Sequence, residues 1–319
     1  MEAEAQEVFT DEIRHEIFEW LGVADADATD LNGFENFVYG CNNRVIRITH
    51  DSHRTSGQLL GELEFVGYLA AEGAPVAGPV LLPDGSLLRS FGDFHLCQFR
   101  QVAGSSLRGR LPVHGQTISW GRAVGLFHRL TQDFRSEHGR QNWQQDENHD
   151  FAKRIPAEQG KVLAEAEKMM SRLALLPRDS SVYGLIHSDA HPGNFLARGN
   201  ELTFFDFDDC LYAWFGYDVA TILLGISRFL EDNGKQVEKG VADFLEVFLE
   251  GYEREMPRSS LMLEHMPLLL KLREFSLYAV ILAHEVNQEG PNNFRKGRRE
   301  RLENDVPYLD MDFTVFERV

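Results

Sequence analysis

Asp189, Asn194 and Asp206 bring three oxygen-bearing side chains together at spacings that suit phosphoryl transfer. That chemistry needs one carboxylate to orient an attacking hydroxyl and accept its proton, and hard oxygen ligands for a divalent cation that bridges the phosphates. Asp189 followed by four residues and then Asn194 supplies both kinds of group, and Asp206 stands twelve residues further on, beyond a hairpin able to return it beside Asn194. Pro192-Gly193 between the first two favours a turn over a helix. Each polar cluster follows an apolar pair, Leu185-Ile186 or Phe204-Phe205, so short buried strands would deliver it to a cleft. Simple turn-capping by these residues would not require three oxygen donors at this spacing. The alternation His187, Asp189, His191 also admits a zinc or iron hydrolase, but the remaining histidines are scattered and form no second cluster.

Two regions of different texture must position these groups. Val8, Phe9, Ile13, Ile17 and Leu21 predict an opening amphipathic helix. Runs 34–39 and 44–49 read as strands joined through Gly40-Cys41-Asn42-Asn43, and a helix is expected over 56–72, stopped by Gly73 and Pro75. Short strands follow at 80–82, 86–90 and 94–100, with Pro83-Asp84-Gly85 as a turn. Beyond Gln101-Val102-Ala103-Gly104 the pattern becomes helical, over 117–130, 158–175, 214–230, 241–255 and 261–284, with 135–150 a polar loop. The expected fold is α+β and two-lobed: a small β-rich N-lobe, residues 1–103, and a larger helical C-lobe, residues 104–319.

At the motif His187-x-Asp189-x-His191-x-x-Asn194, followed by Phe204-Phe205-Asp206, the sequence resembles the aminoglycoside phosphotransferase and choline kinase superfamily. That resemblance implies a protein-kinase-like fold, ATP as phosphoryl donor, Asp189 as general base, and Asn194 and Asp206 as Mg2+ ligands. His187 would brace the catalytic loop and His191 shape it. Tyr217-Asp218-Val219-Ala220 looks like the family's Tyr-Asp-Leu-Ala, whose Asp steadies that loop, and Gly125-Leu126-Phe127-His128 is similar to its helix ending in Leu-His. Asn32 to Tyr39, together with Asp206-Phe207-Asp208-Asp209, resembles the bacterial stress-response kinase subgroup. Asn36 would then lie in a nucleotide-covering loop whose backbone, from Gly33 to Phe37, cradles phosphate without a glycine-rich motif. The family's phosphate-binding Lys is replaced by Arg47, a fixed cation of fork geometry. Glu62 stands where its partner falls, with Glu64 as the alternative. The adenine would meet Gln98, Phe99 and Gln101 at the lobe junction.

Counting 32 Lys and Arg against 50 Asp and Glu gives a net charge of −18, which repels a phosphate backbone and disfavours nucleic-acid binding. No run approaches a membrane span and the start of the chain is acidic, so a soluble, cytoplasmic protein is expected. Cys41, Cys97 and Cys210 show no paired spacing and read as buried thiols. Arg295, Lys296, Arg298, Arg299 and Arg301 form a basic run that reads as a solvated helix end before a binding patch. The partner implied is a small molecule bearing a hydroxyl, such as an antibiotic, an amino alcohol or a homoserine-like metabolite, and Glu264, Glu274 or Glu285 could meet a cationic one. A protein Ser/Thr acceptor and a pseudokinase are the alternatives. The sequence leaves the acceptor and the oligomeric state open.

Overall fold

In the computed structural model, which describes residues 7–33, 35–283 and 293–317, Thr10 caps α1 (Asp11–Leu21) by accepting the Ile13 N–H. Ile17 and Phe18 of this helix pack with Ile46, Ile48 and Leu96 as the core of the N-lobe. Its sheet begins with β1 (Thr29–Asp30), β2 (Phe37–Cys41) and β3 (Arg44–His50), all antiparallel. The hairpin is tighter than the sequence predicts, because Asn42 and Asn43 both take positive φ (51° and 61°) and close it in two residues. Gly40 and Cys41 therefore belong to β2, and Phe34 of the predicted strand lies outside the described residues. A capping box of Thr55 and Gln58 starts α2 (Ser56–Ala71), the predicted helix. The sheet is completed by β4 (Pro79–Val80), β5 (Arg89–Phe91) and β6 (Phe94–Arg100), in the order β1-β2-β3-β6-β4 with β5 also on β6. β5 starts later than predicted because Asp84 accepts from both the N–H and the Oγ of Ser86, which keeps Ser86 in the turn.

The larger region opens with β7 (Ser105–Ser106), followed by α3 (His114–Thr131), α4 (Phe151–Arg154), α5 (Gly160–Leu173), β8 (Tyr183–Ile186), β9 (Phe195–Arg198), β10 (Glu201–Phe204) and β11 (Leu211–Trp214). Helices α6 (Phe215–Asp232), α7 (Val237–Tyr252), α8 (Met266–Ala283) and α9 (Asn293–Glu303) complete it. The predicted start of α8 at Leu261 is displaced by two 3-10 turns around Met262, whose φ is 51°; its predicted end at His284 lies outside the described residues. Helices α3 and α7 cross in near-backbone contact: a Cβ on Gly121 would stand 1.9 Å from the Phe248 carbonyl oxygen, and one on Gly251 2.0 Å from that of Ile118. No other residue type fits either place.

The small strands place the site. β9 lies between β10 and β7, and β11 pairs with β8. Trp120, Phe127, Phe195, Phe204 and Phe207 form the core beneath them, and that core also takes in Phe65, Val66 and Leu69 of α2. Phe204 donates its N–H to the Pro75 carbonyl and accepts the Ala77 N–H, both at 2.8 Å. The strand leading to Asp206 is thus anchored to the N-terminal region by apolar packing and by backbone bonds.

On α9 the basic run meets internal carboxylates. Arg298 is buried, Arg299 pairs with Glu303 at 2.7 Å, and Arg301 with the buried Glu274 at 3.0 Å. Arg299 is exposed and paired along its own helix, as a solvated end would be, whereas Arg298 and Arg301 turn inward and Glu274 is committed away from any acceptor; the side chains of Arg295 and Lys296, and Glu285, lie outside the described residues. The three cysteines are buried and free. Among the described residues no helix is long and apolar enough to cross a membrane.

Candidate active site

β8 ends at Ile186 and the chain turns through Ser188 at φ 70°, a conformation costly for a residue with a Cβ. Asp218, in the first turn of α6, holds that turn in place. Its carboxylate accepts from Ser188 N at 2.6 Å, His187 N at 3.2 Å and His128 Nε2 at 3.1 Å, and all four residues are buried. Thr221 adds a hydroxyl bond to the Ser188 carbonyl at 3.2 Å. Burial pushes the His187 imidazole pKa down, favouring the neutral ring. That ring donates from Nε2 to the Phe205 carbonyl at 3.2 Å and accepts the Asp189 N–H on Nδ1 at 3.4 Å. His187 therefore ties the backbone of Asp189 to the strand end carrying Asp206 and is itself fully buried. Replacing Asp218 by alanine would leave His128 and two buried N–H groups without their acceptor, and is expected to lower the unfolding free energy by about 3–5 kcal/mol. Urea unfolding measures this; a loss below about 1 kcal/mol would show that the turn is held by other contacts.

Asp189 is bonded on both oxygens. Oδ1 accepts from Arg273 Nη2 at 2.6 Å, while Oδ2 accepts from Asn194 Nδ2 at 3.1 Å and lies 3.4 Å from His191 Nε2. Burial alone would raise the carboxyl's pKa; the Arg273 guanidinium, with His191 and His187, outweighs it and holds the group below the usual carboxylate value. Asn194 Nδ2 also donates to the Asp189 carbonyl at 2.9 Å. With the amide nitrogen so engaged, Asn194 Oδ1 is the atom left to meet a cation.

Phe205 N donates to the Asn194 carbonyl at 3.0 Å, which sets Asp206 beside Asn194 across the β9–β10 hairpin. Asp206 is exposed to the cleft at φ 64°, yet protein crowds its carboxyl on the other sides. That poor hydration, and then the negative charges of Asp208, Glu62 and Asp189 over the lowering effect of Arg47, push its pKa up to about 7. A cleft-facing carboxylate so short of positive charge fits a divalent cation, and Asp206 with Asn194 Oδ1 is the hard oxygen set such an ion prefers.

Across the cleft Arg47 of β3 grips Glu62 of α2 with both prongs, Nη1 to Oε1 at 2.9 Å and Nη2 to Oε2 at 2.6 Å, and both residues are buried. The Phe99 ring lies 5.0 Å from the guanidinium carbon. Glu64, the alternative partner, instead accepts from Ser136 Oγ and His138 Nδ1. Asn36 is buried and accepts the Thr49 hydroxyl at 2.5 Å. Gly33 permits the tight loop before it, since a Cβ there would stand 2.3 Å from the Asn36 carbonyl oxygen. Gln98 is buried and accepts from Arg44, and the N–H groups of Arg100 and Gln101 are engaged by the Gly78 and Asn43 carbonyls.

With this geometry in place, the sequence pattern of the phosphotransferase enzyme family matches residues 30–261. The chain belongs to that family. Amicoumacin kinase of Bacillus subtilis (strain 168) is 29% identical over 304 residues, covering 88% of each chain. The serine/threonine protein kinase RdoA of Salmonella typhimurium (strain LT2) is 25% identical over 260 residues, covering 78% of this chain and 75% of its own. Among solved structures, amicoumacin kinase hAmiN in complex with AMP-PNP, Ca2+ and Ami is 25% identical and superposes with a TM-score of 0.92, covering 99% of this chain and 100% of its own. The protein is a kinase of the protein-kinase-like fold, with a small β-sheet N-terminal region and a helical C-terminal one.

Several polar residues of this phosphotransferase, Arg54, Arg140 and Arg273 among them, were not singled out in the sequence. Asp208, a metal or substrate contact or a loop residue by sequence, is buried: its carboxylate meets His53 Nε2 at 2.5 Å, Arg54 Nε at 3.6 Å and Arg47 Nη1 at 3.9 Å. Burial would raise this carboxyl; Arg54, His53 and Arg47 hold it well below the ordinary value. Asp209 accepts from Arg54 Nη2 at 2.8 Å, and Arg140 bonds the carbonyls of Asp208, Cys210 and Gln58. Asp208 and Asp209 thus clamp the β3–α2 connection to the strand bearing Asp206. Glu35 joins His53 and Asp208 in a grouping within 4.8 Å, where His53 and Arg54 already pair with the Asp208 carboxylate. His191 Nδ1 accepts the Gly193 N–H at 2.9 Å and His187 is buried, so among the described residues His187, Asp189 and His191 form no ligand cluster. Arg273 had a faint signal: its helix is so apolar that a charge on it must find a partner.

Proposed function

We propose that this protein transfers the γ-phosphoryl group of ATP to a hydroxyl of a small molecule, with amicoumacin as the first acceptor to test. The supporting observation is the convergence of Asp189, Asn194 and Asp206 at the carboxyl ends of β8 and β10. In this reading Asn194 Oδ1 and Asp206 hold Mg2+. When bound, the ion supplies positive charge to the β- and γ-phosphate oxygens. Arg47, fixed by Glu62, contacts phosphate oxygens from the side facing Asp206, and the loop carrying Asn36 covers them. The adenine meets the chain along Gln98, Phe99 and Gln101, where it passes from the N-lobe, residues 1–103, to the C-lobe, residues 104–319. Asp189 orients the acceptor hydroxyl: as its oxygen bonds to the γ-phosphorus, the bond to the β–γ bridging oxygen breaks, its electron pair leaves on ADP, and the hydroxyl proton goes to the Asp189 carboxylate. A pseudokinase acting only as a binding module has no physical need for a base and two cation ligands together.

The choice of acceptor rests on the two amicoumacin kinases, one similar in sequence and one in nearly its whole fold. Incubation with ATP, Mg2+ and amicoumacin, followed by mass spectrometry and ADP release, is expected to give phosphorylated amicoumacin and ADP in equal amounts. ATP turnover with amicoumacin unmodified would move the acceptor to another small hydroxyl compound or to a protein; no ATP binding at about millimolar concentration would overturn the kinase reading, since typical substrate KM values lie at or below that level.

A further inference from the structure

Arg273 sits on α8, beyond the residues that match the family pattern, and none of the roles above uses it. Its Nη2 meets Asp189 Oδ1 at 2.6 Å with only 14% of its side chain exposed, and the guanidinium also interacts with the Tyr217 hydroxyl. Tyr217 in turn lies 3.2 Å from His149 Nε2, and His149 Nδ1 lies 2.6 Å from the Trp143 carbonyl. The directions agree from end to end. A carbonyl only accepts, so His149 donates from Nδ1 and offers Nε2; Tyr217 gives its proton there, and its oxygen is left to accept from the guanidinium. Burial pushes the Tyr217 phenol up to about 12, which keeps that proton in place. A carbonyl in the 135–150 loop, a tyrosine on α6 and an arginine on α8 thus form one buried line ending on Asp189.

We propose that Arg273 is a positioning residue for phosphoryl transfer, an inference that rests on Asp189 being the base. By committing Oδ1, it fixes the rotation of the carboxylate and presents Oδ2 to the acceptor hydroxyl. Asn194 and His191 hold Oδ2 less closely, at 3.1 and 3.4 Å, leaving it lone-pair capacity for that hydroxyl. Without the guanidinium the carboxylate turns about its Cβ–Cγ bond, and the productive orientation is populated only part of the time.

The test compares wild type, Arg273→Met, Arg273→Lys, Tyr217→Phe, Asp189→Asn and the double variant Asp189→Asn/Arg273→Met, by ATP turnover with and without amicoumacin. Calorimetric ATP binding and thermal melting serve as controls for folding. Arg273→Met is expected to lower kcat about 100-fold with the KM for ATP within about twofold, Arg273→Lys to recover part of the loss, and Tyr217→Phe to lose about fivefold. In the Asp189→Asn background the Arg273→Met change should cost less than about twofold, because the group it positions is already disabled. Equal losses in both backgrounds, or a loss that tracks the melting temperature, would reduce Arg273 to a structural residue and overturn the inference. Wild-type turnover with Arg273→Met unchanged would overturn it alone. Absence of any wild-type turnover would overturn the kinase reading and take this inference with it.

Discussion

Asp189→Asn is expected to lower kcat for phosphoryl transfer by about 10³-fold while leaving ATP affinity within about threefold of wild type. The substitution keeps the shape and lets Oδ1 still accept from Arg273, so the loop held by Asp218 and His187 should survive. What it removes is an oxygen able to take the hydroxyl proton and a charge aligned with the attack. In the proposed reading Arg47, Asn36 and the β6 segment meet the nucleotide and are untouched; Asn194 loses its bond to Oδ2 but keeps the one to the Asp189 carbonyl, which limits the effect on the cation it would hold. Stopped assays of ADP and phosphorylated acceptor, with calorimetry of ATP binding, measure both quantities. Near-normal turnover would remove Asp189 from the chemistry. Loss of ATP binding together with turnover would instead show that the substitution had disturbed the cleft.

What could be read from the sequence and what could not divide along a physical line. Elements whose signals are local were legible: the apolar spacing of α2 and its stop at Gly73 and Pro75, the β-rich run of β6, and the apolar pairs that end β8 and β10. The motif from His187 to Asn194, with Asp206, also lies within a short stretch, and its chemistry follows from residue types at fixed spacing. β11 was missed because Leu211-Tyr212-Ala213-Trp214 is apolar and runs straight into α6, so no period separates a short strand from the helix after it. β7 was missed because two serines have no strand signature; only β9 beside them makes a strand.

The polar residues missed share one property: their partners are distant in the chain. Arg273 reaches back 84 residues to Asp189, Arg54 forward 155 to Asp209, and Arg140 forward 68 to Asp208. Charge pairing of this kind is written in the fold and not in any window of sequence. Arg47 is the intermediate case. Its departure from lysine was visible, and the structure supplies the reason that the exchange is tolerated: a two-pronged carboxylate, Glu62, that suits a guanidinium fork.

Asp206 carries the second large expected effect, and its protonation gives that effect a pH signature. With the carboxyl pushed up to about 7 in the cation-free protein, a divalent ion must displace a proton to bind below that pH. Mg2+ affinity is therefore expected to fall by about tenfold per pH unit below 7 and to level off above it. The stability consequence has a definite sign. Between the ordinary carboxylate value and about 7 the folded protein keeps a proton that the unfolded chain releases, so the cation-free protein loses stability as pH rises through this window and loses no more above it. Mg2+ offsets that loss, so the rise in melting temperature it causes should be larger at about pH 8 than at about pH 6. Asp206→Asn, neutral at every pH, should abolish both dependences, weaken Mg2+-dependent ATP binding by about 100-fold and lower turnover by about 10³-fold. Calorimetry and thermal melts at three pH values settle it. A flat affinity across that range, or unchanged binding in the variant, would show that Asp206 is not the cation's ligand.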